Sequence, residues 1–290
     1  MDLDISYIEP LLDDWLEELQ LIIKAQESLI KAEDEFYMPF VGNYSIPISI
    51  INAIFKITEY LHLGPDTRYI AIHLYDKFMC SYFWEVYRNA DQTESSWSQV
   101  CKKVTSQSKL YLMSCLQLAN KMDSHFNKLR ISQILGILRC IDKKSEYTPD
   151  VIFLSEYKVF KTVGFRMPFY TPLNCVEILL AATGLKDTPN MQELTINLLD
   201  LIYLREIYYH LQCLLHEHRA KIQQEKRGLM ILMSNILSLG ASIVLCGAFF
   251  LCIDCNSVRV IASKLSQLID MKIHDIWDMA DILLIMAIQE

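Results

Sequence analysis

Cysteine and histidine are the residue types in this sequence that could bind a metal ion. Cys252 and Cys255 form a CxxC pair, which is half of a typical structural zinc site. No second CxxC and no suitably spaced histidine pair accompanies it. His216 and His218 lie two residues apart on a predicted helix, so their rings point in different directions. The sequence therefore predicts no metal site.

Motifs for covalent or phosphate chemistry are absent from the sequence. It contains no GxxxxGK[ST], GxGxxG, GxSxG or HExxH pattern. Carboxylates are plentiful, but they fall on the polar faces of predicted helices rather than in a cluster. We therefore expect a protein that is not an enzyme and that needs no cofactor.

Negative charge is concentrated at the amino terminus. Residues 1–35 carry a net charge of −9 and the whole chain carries −8, so the remaining 255 residues are close to neutral. No segment combines clustered lysine and arginine with aromatic residues, as direct nucleic-acid binding would require. We expect protein partners and no direct contact with nucleic acid.

The cysteine content and the first residues bear on the cellular compartment. Nine cysteines lack the spacing of a disulfide framework, and the opening MDLDISYIEP is acidic where a secretory signal would be basic and then apolar. Both observations indicate reduced thiols in the cytosol or nucleus.

Residues 228–253 contain no charged residue and no histidine, which is the composition of a membrane-spanning helix. A helix at the centre of a bundle can also be apolar on all sides. The run 110–120 in the first half of the chain is likewise uncharged, but its eleven residues are too few to span a bilayer. This repetition favours two central core helices. A membrane-anchored helical protein remains the rival interpretation.

Helical periodicity and the small number of glycines and prolines predict an all-α fold. An acidic amphipathic helix is predicted over 9–32. We expect its apolar residues Trp15, Leu16 and Leu19 to pack against the first group of helices that follows it. Further helices are predicted at 47–61, 66–87, 109–122, 128–141 and 149–163, and again at 172–183, 190–227, 228–253, 256–269 and 273–288. The polar stretch 89–108 is predicted to be a surface excursion that contains one short helix turn.

These elements divide the chain into three parts. Residues 1–45 form the acidic helix and a linker, residues 46–168 a first five-helix unit, and residues 169–290 a second. Three Thr-Pro pairs, at 148–149, 171–172 and 188–189, precede predicted helices. Helix capping by the threonine explains them best, with proline-directed phosphorylation as the alternative.

Three motifs give these units a family resemblance. IAIHLYDKFM (70–79) resembles the second-helix signature of the cyclin box, roughly LAxxxxDRFL. LQLANKM (116–122) is similar to its third-helix LAxKxxE region, and residues 156–172 are similar to its fifth-helix run. In this order, on two five-helix units, the motifs resemble the cyclin family. Within that family, SCLQLANK (114–121), FRMPFYTPLNCVEILL (165–180) and LLDLIYL (198–204) are similar to segments of the divergent cyclins of meiotic crossovers.

The resemblance implies two tandem cyclin folds and a regulatory role. It suggests a protein on meiotic chromosomes in the nucleus that promotes crossover designation and maturation by binding a cyclin-dependent kinase. A kinase-independent scaffold for recombination proteins is the alternative. The motif matches place Lys121 and Glu156 at the two positions that contact the kinase in cyclins. Residues 46–50 and Ala53 replace the cyclin MRAIL patch and its tryptophan, so docking of RxL-type substrates is not expected.

Overall fold

The computed structural model describes residues 11, 14–21, 24, 47–89, 94–123, 128–143, 145–165, 167, 171–204, 236–251 and 254–288, with only the backbone for 94–97. Within these ranges the chain is helical and contains no strand, which confirms the predicted all-α fold. The chain divides into two compact units. One is Tyr44–Phe169, and the other combines Met1–Asn43 with Tyr170–Glu290.

The unit Tyr44–Phe169 is built around one long central helix. Its helices are α1 (Ile48–Tyr60), α2 (Pro65–Arg88), α3 (Glu94–Asp123), α4 (Ile131–Ile141) and α5 (Pro149–Thr162). Helix α3 packs against α2, α4 and α5. Its uncharged run provides the core, where Met113, Cys115, Leu116 and Ala119 are fully buried.

Helix α3 begins fifteen residues earlier than the sequence predicts. The prediction of a surface excursion over 89–108 is wrong for its described part, because residues 94–108 continue the helix without interruption. This part contains no glycine or proline, and α2 is long enough to pack along it. Val100 in this part of α3 is buried, and the Tyr82 hydroxyl of α2 donates to Gln107 Oε1 of α3 (2.8 Å).

The second unit also has a buried central helix. Its described helices are α6 (Pro172–Thr183), α7 (Met191–Leu204), α8 (Ile236–Phe250), α9 (Cys255–Ile269) and α10 (Ile273–Ile288). All residues from 236 to 248 are buried, which confirms a core helix for this part of the uncharged stretch. Residues 205–235 lie outside the described ranges, so the arrangement of the chain as two units of five helices each stays a prediction.

Close helix packing explains the small residues of α8. A Cβ atom on Gly240 would lie 3.3 Å from both Cys175 Cβ and Leu179 Cδ1 of α6. One on Gly247 would lie 3.0 Å from Met191 Sδ of α7. The backbone of α8 therefore approaches α6 and α7 more closely than larger side chains would allow.

None of the helices that the structure describes has both the length and the hydropathy to cross a bilayer.

The N-terminal helix packs in the second unit rather than the first. Residues 14–21 are helical and are grouped with 170–290. Leu16 and Leu19 are buried, and Gln20 Nε2 donates to the carbonyl of Leu268 (2.7 Å) at the end of α9. Trp15 is 45% exposed. The prediction that this helix packs against the first five-helix unit is therefore wrong. The prediction that Trp15 is one of its packing residues is also wrong, because this side chain is largely exposed.

Two of the three Thr-Pro pairs cap helices as predicted. Thr148 Oγ1 accepts from Val151 N (3.4 Å) at the start of α5, and Thr171 Oγ1 accepts from Asn174 N (3.2 Å) at the start of α6. Thr188 does not precede its helix directly, because α7 begins at Met191 after a left-handed residue (φ 64°) at position 190. Helix α5 ends at Thr162, shortly before Gly164, whose φ of 68° is the left-handed conformation that favours glycine after a helix.

Candidate partner-binding surface

Helices α3 and α5 are held together by a buried pair of hydroxyl groups. Ser114 Oγ and Ser155 Oγ lie 2.6 Å apart, and both side chains are buried. Each hydroxyl also reaches a backbone carbonyl of its own helix, at Leu110 and Ile152. Two serines that satisfy each other in this way fix the position of one helix along the other.

The two residues singled out by the motifs are in direct contact. Lys121 Nζ, in the last turn of α3, donates to Glu156 Oε1 of α5 and forms an ion pair. The Glu156 side chain is only 10% exposed, whereas the Lys121 side chain is 46% exposed. A nearly buried carboxylate needs a positive partner, and Lys121 provides it from the solvent side. The motif matches predict a kinase contact for both residues, which stays a prediction, and the structure shows that their side chains contact each other.

Beside this ion pair, α5 presents a set of large apolar side chains to solvent. Phe153, Leu154 and Tyr157 are 50%, 68% and 58% exposed. Their spacing (i, i+1, i+4) places them on one side of the helix, opposite Ile152 and Val159, which are fully buried. Single exposed apolar residues are common, whereas contiguous exposed apolar groups are typical of interaction sites. We call these three residues the apolar face of α5.

A second contact between the helices was not anticipated from the sequence. Lys158 Nζ of α5 lies 4.3 Å from the ring centre of Tyr82 and 5.8 Å from that of Tyr111. The hydroxyls of both tyrosines donate to Gln107 Oε1, and burial raises the pKa of both. This cation–π contact therefore involves three helices, α2, α3 and α5. No sequence motif signals it, because its four residues come from three helices.

The residues that replace the cyclin docking patch lie at the start of α1. Pro47 precedes the helix, Ile48–Ile50 form its first turn, and Ala53 lies one turn further on. Ile46 lies outside the described residues. No arginine or tryptophan occurs at positions 46–50 or 53, and the expectation that RxL-type substrates do not dock here stays a prediction.

The described residues contain no group of three His, Cys, Asp or Glu side chains that could hold a metal ion. Cys255 is exposed at the start of α9, while its CxxC partner Cys252, like His216 and His218, lies outside the described ranges. Burial raises the pKa of Cys246 to about 12, and burial also raises the pKa of Cys115 and Cys175. These three thiols are core residues and stay protonated at neutral pH.

The chain is similar to two curated proteins. It is 25% identical over 221 residues to cyclin N-terminal domain-containing protein 1 of Mus musculus, an alignment that covers 72% of this chain and 66% of that protein. It is 27% identical over 236 residues to the protein of the same name in Homo sapiens, covering 75% and 69%. The chain thus spans just under two thirds of the length of the mouse relative. No family model matches the chain.

The names of both relatives agree with the three motifs at 70–79, 116–122 and 156–172. The last two motifs contain Lys121 and Glu156, the residues joined by the ion pair between α3 and α5. The comparison confirms the resemblance predicted from the sequence: the chain is similar to proteins named for a cyclin N-terminal domain.

Proposed function

We propose that this chain is a non-enzymatic regulatory protein that binds a cyclin-dependent kinase through Lys121, Glu156 and the apolar face of α5. The observation that carries the proposal is the position of the ion pair at the edge of that face. The face supplies apolar area for binding, and the half-exposed lysine supplies a charged group that a partner can reach. Together they have the make-up of a binding hot spot, with apolar anchors next to a partly buried charge.

The contacts that hold α5 in place support the same proposal. The Ser114–Ser155 hydrogen bond and the contact of Lys158 with two tyrosines hold α5 on both sides of Glu156. A preorganised surface loses little conformational entropy on binding, so more of its contact energy appears as affinity.

We further propose that the protein acts in the nucleus, on meiotic chromosomes, in crossover designation and maturation. The support for this part is the resemblance of residues 114–121, 165–180 and 198–204 to the meiotic branch of the cyclins. The near-neutral charge beyond residue 35 suits recruitment through proteins rather than through DNA phosphates.

The test is co-purification of the tagged full-length chain from meiotic germ cells, with kinases quantified by mass spectrometry. Leu154→Asp should reduce kinase recovery at least tenfold, because a charge on the apolar face would be desolvated on binding. Val260→Asp is the matched control, since Val260 is equally exposed (67% against 68%) but lies on α9. If the two variants recover equal amounts of kinase, the apolar face of α5 does not bind the kinase.

The ion pair needs a separate variant, because truncating Lys121 alone leaves a nearly buried carboxylate without its partner. Lys121→Met combined with Glu156→Gln removes both charges and keeps the side-chain volumes similar. We expect at least tenfold weaker kinase association with an unchanged melting temperature. Wild-type affinity in this double variant would exclude the ion pair from the interface. Recovery of recombination proteins without any kinase would replace the kinase proposal with the scaffold alternative.

A further inference from the structure

The three Thr-Pro pairs of the sequence have very different surroundings in the structure. A proline-directed protein kinase requires a threonine or serine followed directly by proline, and all three pairs provide this. The kinase must also reach the hydroxyl group and bind the surrounding chain in an extended form. Thr148 is exposed, Thr188 is half-buried and Thr171 is fully buried. The folded protein therefore presents the three hydroxyl groups unequally.

The chain that leads to Thr148 is exposed and extended. Residues 145, 146 and 148 are exposed, and the described residues between α4 and α5 form no helix or strand. Thr148 has φ −106° and ψ 160°, the extended conformation that residues before proline prefer. Asp142 Oδ2 accepts hydrogen bonds from the hydroxyls of Ser145 (2.9 Å) and Tyr147 (2.7 Å), which fixes the start of this segment. The Thr148 hydroxyl is thus presented on the surface by an extended backbone.

Thr148 is only weakly held by α5. Its hydroxyl accepts a hydrogen bond from Val151 N at 3.4 Å, longer than the usual N–H···O range of about 2.7–3.2 Å. Pro149 and Asp150 are exposed, and the first fully buried side chain of the helix is that of Ile152. The first turn can therefore fray without uncovering a core residue, and helix ends of this kind open readily. A kinase can bind both sides of Thr148 while the rest of the unit stays folded.

Thr171 has the opposite surroundings, although it also precedes a proline at the start of a helix. Its hydroxyl donates to Asn174 Oδ1 (2.9 Å) and accepts from Asn174 N (3.2 Å), so the proton that a kinase must remove is already bound. Pro172 and Leu173, the first two residues of α6, are buried. Fraying of this turn would expose both side chains and break the capping interactions. Thr171 is therefore a negative control within the same chain.

Thr188 is held in a turn. Its backbone N–H donates to Leu185 O and its carbonyl oxygen accepts from Met191 N, both at 3.1 Å. Asn190 follows in a left-handed conformation with φ 64°. The backbone on both sides of Thr188 is bent rather than extended, so a kinase would have to break these hydrogen bonds before it could bind the segment.

From these contrasts we propose that Thr148 is a phosphorylation site that the folded protein presents to a proline-directed serine/threonine kinase, whereas Thr171 and Thr188 are not presented. In the reaction, the γ-phosphorus of ATP loses its bond to the oxygen shared with the β-phosphorus and gains a bond to Thr148 Oγ1. The hydroxyl proton passes to the catalytic base of the kinase, and ADP leaves. Capping and modification are compatible, because a phosphate oxygen can accept the hydrogen bond of Val151 N in place of the hydroxyl. The proposal does not depend on kinase binding to the apolar face of α5.

The first test is phosphorylation of the purified full-length chain by a mitogen-activated protein kinase, a proline-directed enzyme, with ATP. Mass spectrometry at early times should show at least tenfold more phosphate on Thr148 than on Thr171 or Thr188. Equal phosphate on the three threonines, or less on Thr148 than on the others, would overturn the proposal.

Short synthetic peptides centred on each threonine separate the effect of the fold from the sequence preference of the kinase. For each site, the rate in the folded chain is divided by the rate in its own peptide. This ratio should be at least tenfold higher for Thr148 than for Thr171 and Thr188. Equal ratios would mean that the fold does not select the site, and would refute the structural argument.

Two substitutions test the assignment within the folded chain. Thr148→Val removes the hydroxyl but keeps the branched shape, and should abolish the main phosphorylation. Pro149→Ala keeps the hydroxyl but removes the residue that a proline-directed kinase requires, and alanine suits a helix well. We expect at least tenfold slower phosphorylation of Thr148 in Pro149→Ala, with thermal melting to verify the fold of both variants. An unchanged rate in Pro149→Ala would exclude a proline-directed kinase.

The decisive measurement uses the chain isolated, with phosphatase inhibitors, from the cells that express it. The proteolytic peptide that contains Thr148 should be recovered in a phosphorylated form, which phosphatase treatment converts to the unmodified peptide. Recovery of the unmodified peptide alone would restrict Thr148 to helix capping and would overturn the proposal.

Discussion

Asp123, the last residue of α3, caps the start of α2 by accepting two hydrogen bonds from Thr67. Its Oδ2 atom lies 3.1 Å from Thr67 N and 2.5 Å from Thr67 Oγ1, and Thr67 is fully buried. The residue that precedes α2, Gly64, offers no side chain for capping. A carboxylate from the end of another helix therefore takes the place of a local cap and also favourably faces the positive end of the α2 dipole.

We expect Asp123→Ala to destabilise the unit Tyr44–Phe169 by about 2 kcal/mol, because two buried donors lose their acceptor. Asp123→Asn keeps an acceptor but loses the charge, so its effect should be smaller. Chemical denaturation of the two variants measures both values. If Asp123→Ala unfolds at the same denaturant concentration as the wild type, this cap contributes nothing.

Gly240→Val should destabilise the second unit by about 1–3 kcal/mol, the usual range for overpacking. The added side chain would begin 3.3 Å from two atoms of α6 and 3.5 Å from the backbone nitrogen of Val176, which cannot move away easily. A lower melting temperature, measured by circular dichroism, is the expected result. An unchanged melting temperature would mean that α6 and α8 are further apart than described.

Gly136→Ala should stabilise the protein, in contrast to Gly240→Val. The new methyl group meets no atom within 4 Å, and alanine is favoured over glycine inside a helix by about 1 kcal/mol. Both the melting temperature and the denaturation midpoint of the unit Tyr44–Phe169 should therefore rise. Destabilisation by this substitution would contradict an open space at that position.

The N-terminal helix provides a matched pair of variants. Leu19→Ala should cost about 2–5 kcal/mol, because Leu19 is fully buried. Trp15→Ala, four residues earlier and 45% exposed, should cost clearly less despite the larger side chain. Hydrogen exchange should show faster opening around Leu268 in Leu19→Ala, since Gln20 bonds its carbonyl. Faster exchange confined to Tyr44–Phe169 would contradict the packing of this helix in the second unit.

Features encoded locally in the sequence were predicted well. The Thr-Pro pairs at 148 and 171 mark the starts of α5 and α6 because a threonine cap and a proline in the first turn act within a few residues. The early start of α3 was missed because a polar segment becomes helical here by packing along α2. The N-terminal helix shows the same limit, since its pattern demands an apolar contact without specifying which unit provides it.

The candidate site likewise combines residues that the sequence identified with contacts that it could not predict. The motifs identified Lys121 and Glu156, but their contact depends on how α3 and α5 pack, which no local pattern encodes. The apolar face of α5 is also hidden in the sequence, since Phe153, Leu154 and Tyr157 follow the same periodicity as core residues. Only the packed structure shows which side of the helix is covered.

The cap at Thr171 also affects how a modification there would be interpreted. Thr171 precedes a proline, as proline-directed kinases require, but its side chain is fully buried and its hydroxyl bonds Asn174. A kinase cannot reach this hydroxyl while the start of α6 is formed. Phosphate on Thr171 would therefore mark molecules whose second unit had opened, a record of failed or unfinished folding. Phosphate on Thr148, which is exposed, would carry no such information.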